Sequence, residues 1–236
     1  MPVISIKAEP IFHIFGFTIT NSFLTSCIVM VASIFLCIFF YSQSQKHEKS
    51  GFYYLVRFFV NAVYSLFDSV FGVKTPLFFP ILFAFFSYIL LQNWFGLFPG
   101  IGSILYNHVP LFRSNDADLN TTVGLALISF FLIQYYSIKY LGVKSYLKKF
   151  FNFTNPIMFF VGILDIISEL SKIISFSFRL FGNIFAGEVL ITVIAFLIPI
   201  LASFPFLLFE IFVGLIQALV FSMLTAVFIN GAIQEQ

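Results

Sequence analysis

The sequence predicts an all-α polytopic membrane protein, and three observations carry that prediction. Hydrophobic residues make up 60% of the 236 residues and charged residues only 9%. Several apolar runs reach or exceed the roughly 20 residues that a helix needs to span a bilayer. The alternating segments of about ten residues that mark a transmembrane β-barrel do not occur. A water-soluble core is excluded.

Taken in order, the segment from Met1 to Pro10 carries one lysine and one glutamate. The apolar run after it is too long for a signal-peptide core, so it is expected to stay as a helix. Apolar runs at Thr18 to Tyr41, Pro76 to Phe98, Thr121 to Tyr140, Pro156 to Ile198 and Phe204 to Ile233 predict five crossings. The last two exceed a perpendicular span and must tilt. They form a helical hairpin over residues 156–233 within one integral membrane domain, residues 1–236.

Phe52 to Val73 is apolar but carries Arg57, Asn61 and Asp68, with Pro76 just beyond. That pattern predicts an amphipathic helix lying in the interface. Asn93, Trp94, Pro99 and Gly100 mark the exit of the second crossing, Trp94 at headgroup depth. Thr121 or Thr122, after Asn120, suits the cap of the third. A short outer turn around Pro199 and Pro205 makes the last two helices antiparallel neighbours.

Lysines and arginines set the orientation. With the N-terminus outside, Lys46, Lys49, Arg57, Lys74, Lys139, Lys144, Lys148 and Lys149 face the cytoplasm, against Lys7 and Arg113 outside. This eight-to-two bias obeys the positive-inside rule and leaves the C-terminus inside. The outer loop, Gly100 to Asn120, carries Asp116 and Asp118.

The 38 phenylalanines are spread over every apolar segment and read as lipid-facing filler from AT-rich codons. Cys27 and Cys37 lie inside the first run and read as small hydrophobes. His13, His47 and His108 read as solvated. With no nucleotide-binding glycine loop, metal-ligand cluster or nucleophile elbow, no catalytic residue, cofactor, metal or nucleic-acid partner is expected. The repeated halves of many secondary transporters are not evident.

Arg179 lies at the centre of the fourth run, where a charge costs a few kcal/mol or more unless it meets a polar cavity or partner. At 100° per residue, Asp165, Ser168, Lys172, Ser175, Arg179, Gly182, Asn183 and Ala186 gather on one side of the helix, with Glu169 at the margin. Leu170, Phe181 and Ile184 lie on the other. Small residues in a stripe let another helix approach closely, so the stripe reads as a contact surface for a charged partner. Glu188 is nine residues from Arg179, on the opposite face and roughly 13 Å along the axis, which disfavours a direct ion pair.

On the last helix Glu210, Gly214, Gln217 and Phe221 share a face. Glu188 and Glu210, each near the outer turn, are expected to approach one another. Two carboxyls in one low-dielectric site cannot both ionise cheaply, which suits a proton relay on the outer side.

The run from Arg179 (Arg-Leu-Phe-Gly-Asn-Ile-Phe-Ala-Gly-Glu188), followed by Glu210 and Ile216-Gln217-Ala218-Leu-Val-Phe221, resembles the a subunit of F-type ATP synthases, the membrane stator facing the rotating c ring. Further matching runs are Ala8 to His13, Thr20 to Ser22, Asn93 to Gly100, Ala117 to Thr122 and Ser168 to Lys172. The resemblance implies that Arg179 is the essential stator arginine, Asn183 and Gln217 its polar neighbours, and Glu188 the acidic channel position. Glu210 stands where many bacterial relatives carry histidine. Mitochondrial relatives typically pair histidine at the first acidic position with glutamate at the second. Glutamate at both implies a bacterial chain in the inner membrane, with the mitochondrial inner membrane as the alternative.

The implied mechanism has an outer half-channel lined by Glu188 and Glu210 and an inner one with Asp165, Glu169 and Ser175 as candidate lining groups. The implied partners are the c ring, the b subunits of the peripheral stalk, the remaining synthase subunits and the lipid bilayer. ATP chemistry then belongs to other subunits. Two other readings stay open here. A proton-coupled secondary transporter predicts uptake by this chain alone, and a structural scaffold predicts tolerance of Arg179→Gln.

Overall fold

The computed structural model describes residues 9–14, 17–46, 48–98, 104–106, 109–150, 156–197 and 203–234. Five helical stretches are long and apolar enough to cross a membrane, in line with the five apolar runs. They are α1 (Asn21–Ser44), α2 (Gly51–Phe71) joined to α3 (Thr75–Gly96), α4 (Leu119–Leu141), α6 (Pro156–Leu197) and α7 (Ser203–Gln234). A short helix, α5 (Val143–Phe150), links α4 to α6.

A hairpin of β1 (Pro10–Ile14) and β2 (Phe17–Thr20) precedes α1, and a two-residue pair, β3 (Leu105–Tyr106) with β4 (Val109–Pro110), lies between α3 and α4. Neither hairpin nor α5 is expected from apolar periodicity, because none carries a spanning run. His47, His108, Pro99, Gly100 and Pro199 fall outside the described residues, as does the side chain of His13. Pro205 lies in the first turn of α7 rather than in the turn before it.

The apolar stretch from α2 to α3 breaks at Gly72, whose φ of +54° is a left-handed conformation that a residue with a Cβ adopts reluctantly. A 3-10 turn, Gly72–Lys74, follows. The α2 helix buries Tyr53, Val63, Phe67 and Phe71 and exposes Arg57, Asn61 and Asp68, together with Tyr54, Leu55 and Phe58. This is the amphipathic pattern expected of it. Asn230 of α7 donates to the Val70 carbonyl (2.7 Å) and Thr75 donates to Asp68 (2.9 Å), fixing the α2–α3 corner.

The core lies between α2, α3, α4, α6 and α7 and is built largely from aromatic rings. Phe71 stacks on Phe78 (centroids 4.6 Å apart), Phe78 meets Tyr136 edge-on (4.9 Å), and Phe221 contacts Phe176 (5.0 Å) and Phe85 (5.8 Å). The reading of phenylalanine as filler is therefore corrected in part. Phe35, Phe58 and Phe131 are exposed, but Phe67, Phe78 and Phe86 are fully buried. Lipid is as apolar as leucine, so helices associate through contact area and ring geometry rather than through expulsion of water. Small polar pairs add to this, Ser129 with Thr225 at 2.8 Å between α4 and α7 and Thr122 with Ser177 at 3.4 Å between α4 and α6.

The α1 helix is buried only at its polar start, at Asn21, Ser22, Thr25 and Val29, while its apolar remainder is exposed. That inversion is what a lipid-facing helix requires. Asn21 accepts from the Glu9 amide (3.2 Å), and the Ser22 hydroxyl donates to Asp118 (3.1 Å). Asp118, not Thr121 or Thr122, caps α4, accepting from the Asn120 amide (3.1 Å). The carboxylate serves helix cap and α1 at once, which a threonine hydroxyl three residues later does not.

Candidate functional site

Among the cavities of the described residues, two reach α6, one toward each of its ends. The cavity toward the C-terminal end of α6, on the side expected to be outer, is about 290 Å³ and is lined by Asn93 of α3, Arg113 and Ser114 of the loop before α4, Glu188 of α6 and Glu210 of α7. The two glutamates expected to approach one another both line this cavity. Glu210 is 4% exposed and its Oε1 has no hydrogen-bond partner among the described residues. Such an oxygen is satisfied by binding a proton or a water. Its carboxylate packs against Gly187, in the position that a Cβ there would occupy.

Glu188 is paired with Arg113, from Nε to Oε1 at 3.4 Å and from Nη2 to Oε2 at 3.5 Å. It makes no bridge to Arg179, as the helical geometry requires. Arg113 was expected as an ordinary cation of an outer loop; it is 7% exposed and part of the site. Its place among Ser114, Asn115, Asp116 and Asp118 is the one signal of a polar cluster in the sequence. Asn93, expected as a marker of the helix exit, is buried and donates to the Gly214 carbonyl (3.2 Å), locking α3 to α7 beside the cavity.

Asp116 is fully buried, and neither carboxylate oxygen has a hydrogen-bond partner among the described residues. Burial pushes its carboxyl up to about 8. Asp118 is buried as well, so the pair is not a solvated acidic loop tip.

The cavity toward the N-terminal end of α6, on the side expected to be inner, is about 250 Å³ and holds Glu169 and Lys172 of α6, Gln134 of α4 and Tyr146 of α5. Lys172 donates to Glu169 (2.6 Å), Gln134 donates to its other oxygen (2.9 Å), and the Tyr146 hydroxyl donates to Gln134. Burial, with the Glu169 charge adding, pushes the Tyr146 phenol up and keeps it a donor. Of the inner candidates only Glu169 lines this cavity. Ser175 accepts from Arg179 Nη2 at 3.2 Å, and Asp165 is half-buried elsewhere on α6.

Arg179 lies between the two cavities, ten residues from Glu169 and nine from Glu188, or about 15 Å and 13 Å of helical rise. It is exposed, as are Ser168, Ser175, Gly182, Asn183 and Ala186 of the stripe, while Lys172 and Asp165 are half-buried. Inside the bundle between the cavities, Phe176 and Leu180 are buried against Phe221 and its neighbours. Protein interior therefore separates the cavities, and an open surface carrying Arg179 runs alongside. On α7, Glu210, Gly214 and Phe221 are buried and Gln217 is half-buried, so the shared face turns inward.

Residues 23–230 match the family model described as ATP synthase A chain, which is most of the chain. The chain belongs to the ATP synthase A chain family. It is similar to "ATP synthase subunit a" of Desulforamulus reducens, with 33% identity over 92% of this chain and 81% of that one. The "ATP synthase subunit a" of Moorella thermoacetica is 29% identical over 95% of each chain. A third relative, "ATP synthase subunit a, sodium ion specific" of Propionigenium modestum, is 32% identical over 94% of this chain and 77% of that one. As a family member with five spanning helical stretches, the chain is an integral membrane subunit of the synthase complex rather than its catalytic part.

Proposed function

We propose that this chain is the proton-conducting stator of the synthase, with residues 156–233 as its channel hairpin. The carrying observation is the position of Arg179, exposed on α6 midway between two cavities that buried aromatic packing holds apart. In this reading a proton enters from outside through the cavity of Glu188 and Glu210 and neutralises a carboxylate on a c subunit. The neutral carboxyl then rotates into lipid. After nearly a full turn it meets Arg179, whose charge favours the ionised form. The released proton leaves through the inner cavity past Glu169.

Asn183 flanks Arg179 on the exposed stripe, and Gln217 shares the α7 face of Glu210. Gly182, Asn183 and Ala186 allow the c ring a close approach. Arg179 also repels a proton that would cross directly between the cavities. Each transferred charge gains about 2.3 kcal/mol per 100 mV, and the offset cavities convert that gain to torque. The c ring is the partner of the stripe, and the b subunits of the peripheral stalk hold the chain still. The N-terminus lies outside and the C-terminus in the cytoplasm of a bacterial cell, following the lysine and arginine bias.

The test is ATP-driven acidification of inverted vesicles bearing the assembled complex. Arg179→Ala is expected to abolish it while the complex still assembles. Near-normal pumping by that variant would overturn the stator reading.

A further inference from the structure

We infer that Arg113 is a working residue of the outer half-channel, dividing the labour of its two glutamates: it holds Glu188 as a fixed carboxylate and leaves Glu210 to exchange the ion. The inference rests on the stator reading above and adds a residue and a role to it.

Among the residues lining the outer cavity, the titratable or charged groups are Arg113, Glu188 and Glu210. They come from three separate segments, the loop before α4, α6 and α7. The guanidinium reaches Glu188 through two nitrogens, at 3.4 Å and 3.5 Å, each to a different oxygen. Only the Nη2 contact has hydrogen-bond geometry, so the pair acts chiefly through charge. It also has a rigid base, since the Arg113 amide donates to Thr25 of α1 (3.3 Å) and the neighbouring turn packs among α1, α3, α4 and α6.

Glu210 is placed differently. It faces the same cavity from α7, is more deeply buried than Glu188, and keeps Oε1 without a hydrogen-bond partner among the described residues. Glu188 already has a cation beside it, whereas the Glu210 Oε1 has no donor among the described residues and gains a bond when an ion or proton arrives. With one cation and two carboxyls, the cavity is neutral when Glu210 is protonated and carries a single negative charge when it is not. A net charge alternating between zero and minus one suits a site that takes up a cation and passes it on.

Arg113 is thus a positioning residue, acting on the transferred ion through Glu188. If either member of the pair is removed, the charge of the other is no longer offset across this contact. Without the Glu188 charge the guanidinium repels the entering cation, and without the Arg113 charge the Glu188 carboxylate traps it. Removing both leaves Glu210 alone in a neutral setting.

The experiment measures initial rates of ATP-driven acidification in inverted vesicles carrying the whole synthase with Arg113→Gln, Arg113→Lys, Glu188→Gln, Arg113→Gln/Glu188→Gln or Glu210→Gln. Rates are normalised to the amount of assembled complex. The expected result is at least a tenfold loss for each single glutamine variant of the pair, and a double variant several-fold faster than either single. Arg113→Lys should keep more than a third of the rate, because a cation remains. Glu210→Gln should lose more rate than either single glutamine variant of the pair, and adding Arg113→Gln to it should restore none. Wild-type rates for Arg113→Gln, or a double variant no faster than the slower single, would overturn the role of Arg113. If only the Glu210→Gln result fails, the division of labour is wrong while the stator reading, tested by Arg179→Ala, stands.

Discussion

The Glu210 carboxylate of α7 packs against the backbone of α6 at Gly187, directly beside Glu188. Only a residue without a Cβ lets the two helices place both glutamates on one cavity, because a Cβ at 187 would coincide with the carboxyl group itself. Gly187→Ala is therefore expected to push Glu210 out of place and cut pumping at least tenfold, with about 1–3 kcal/mol lost to overpacking. Gly124→Ala, where an added Cβ meets nothing within 4 Å, is the matched control and should pump normally. Vesicle acidification for the two variants, at equal amounts of complex, checks the claim.

Because Glu188 and Glu210 face one cavity, their losses should not add. Glu188→Gln and Glu210→Gln are each expected to slow proton entry strongly, and the double variant should cost less than the sum of the two effects expressed as free energies. Strict additivity in pumping rates would assign the glutamates to separate sites.

Asp116 makes pH a probe of the outer loop. Its folded-state value of about 8 stands above the ordinary 3.8, so the folded chain holds the proton more tightly than the unfolded one. The stabilising contribution is complete below about pH 4 and is lost as pH rises through about 8. Asp116→Asn removes the titration while keeping a neutral side chain of the same shape. The variant complex is expected to resist heat better than wild type at pH 8–9 by a few kcal/mol, with the gap closing at pH 5. Thermal inactivation of the purified synthase across that range measures it, and parallel curves would refute it.

Topology follows from charge and is tested by labelling. Single cysteines at Lys46 and Lys148, both exposed, should be shielded from an impermeant thiol reagent in intact cells and react in inverted vesicles. The outer reporter belongs at Ile104, which is exposed, rather than at buried Asp116. Cys27 and Cys37 are free thiols and must first be replaced. Labelling of position 148 from outside would reverse the orientation.

Much of this was legible in the chain because a bilayer imposes strict local rules. A spanning helix satisfies its own backbone and must be apolar for about 20 residues, so the predicted runs fall within about three residues of the observed helix ends. The stripe through Arg179 was legible for the same reason, since helical periodicity fixes which residues share a face. What periodicity cannot reach are contacts between distant segments. Arg113 and Glu188 are 75 residues apart, and Asn93 and Gly214 are 121 apart. Asp118 as the cap of α4 depended on Ser22, and the buried phenylalanines depended on which rings face each other across the bundle.

The sequence by itself determined the membrane class, the number of spans, the exposed charged stripe of α6 and the residue types available for ion transfer, because each follows from the composition and period of a single segment. Only the tertiary structure decided which glutamate is paired and which is left unsatisfied. It alone also placed a loop arginine inside the outer cavity and filled the space between the two cavities with aromatic rings. Those outcomes rest on side chains from separate helices meeting at distances of a few ångströms, and such meetings are set by packing rather than by any local rule.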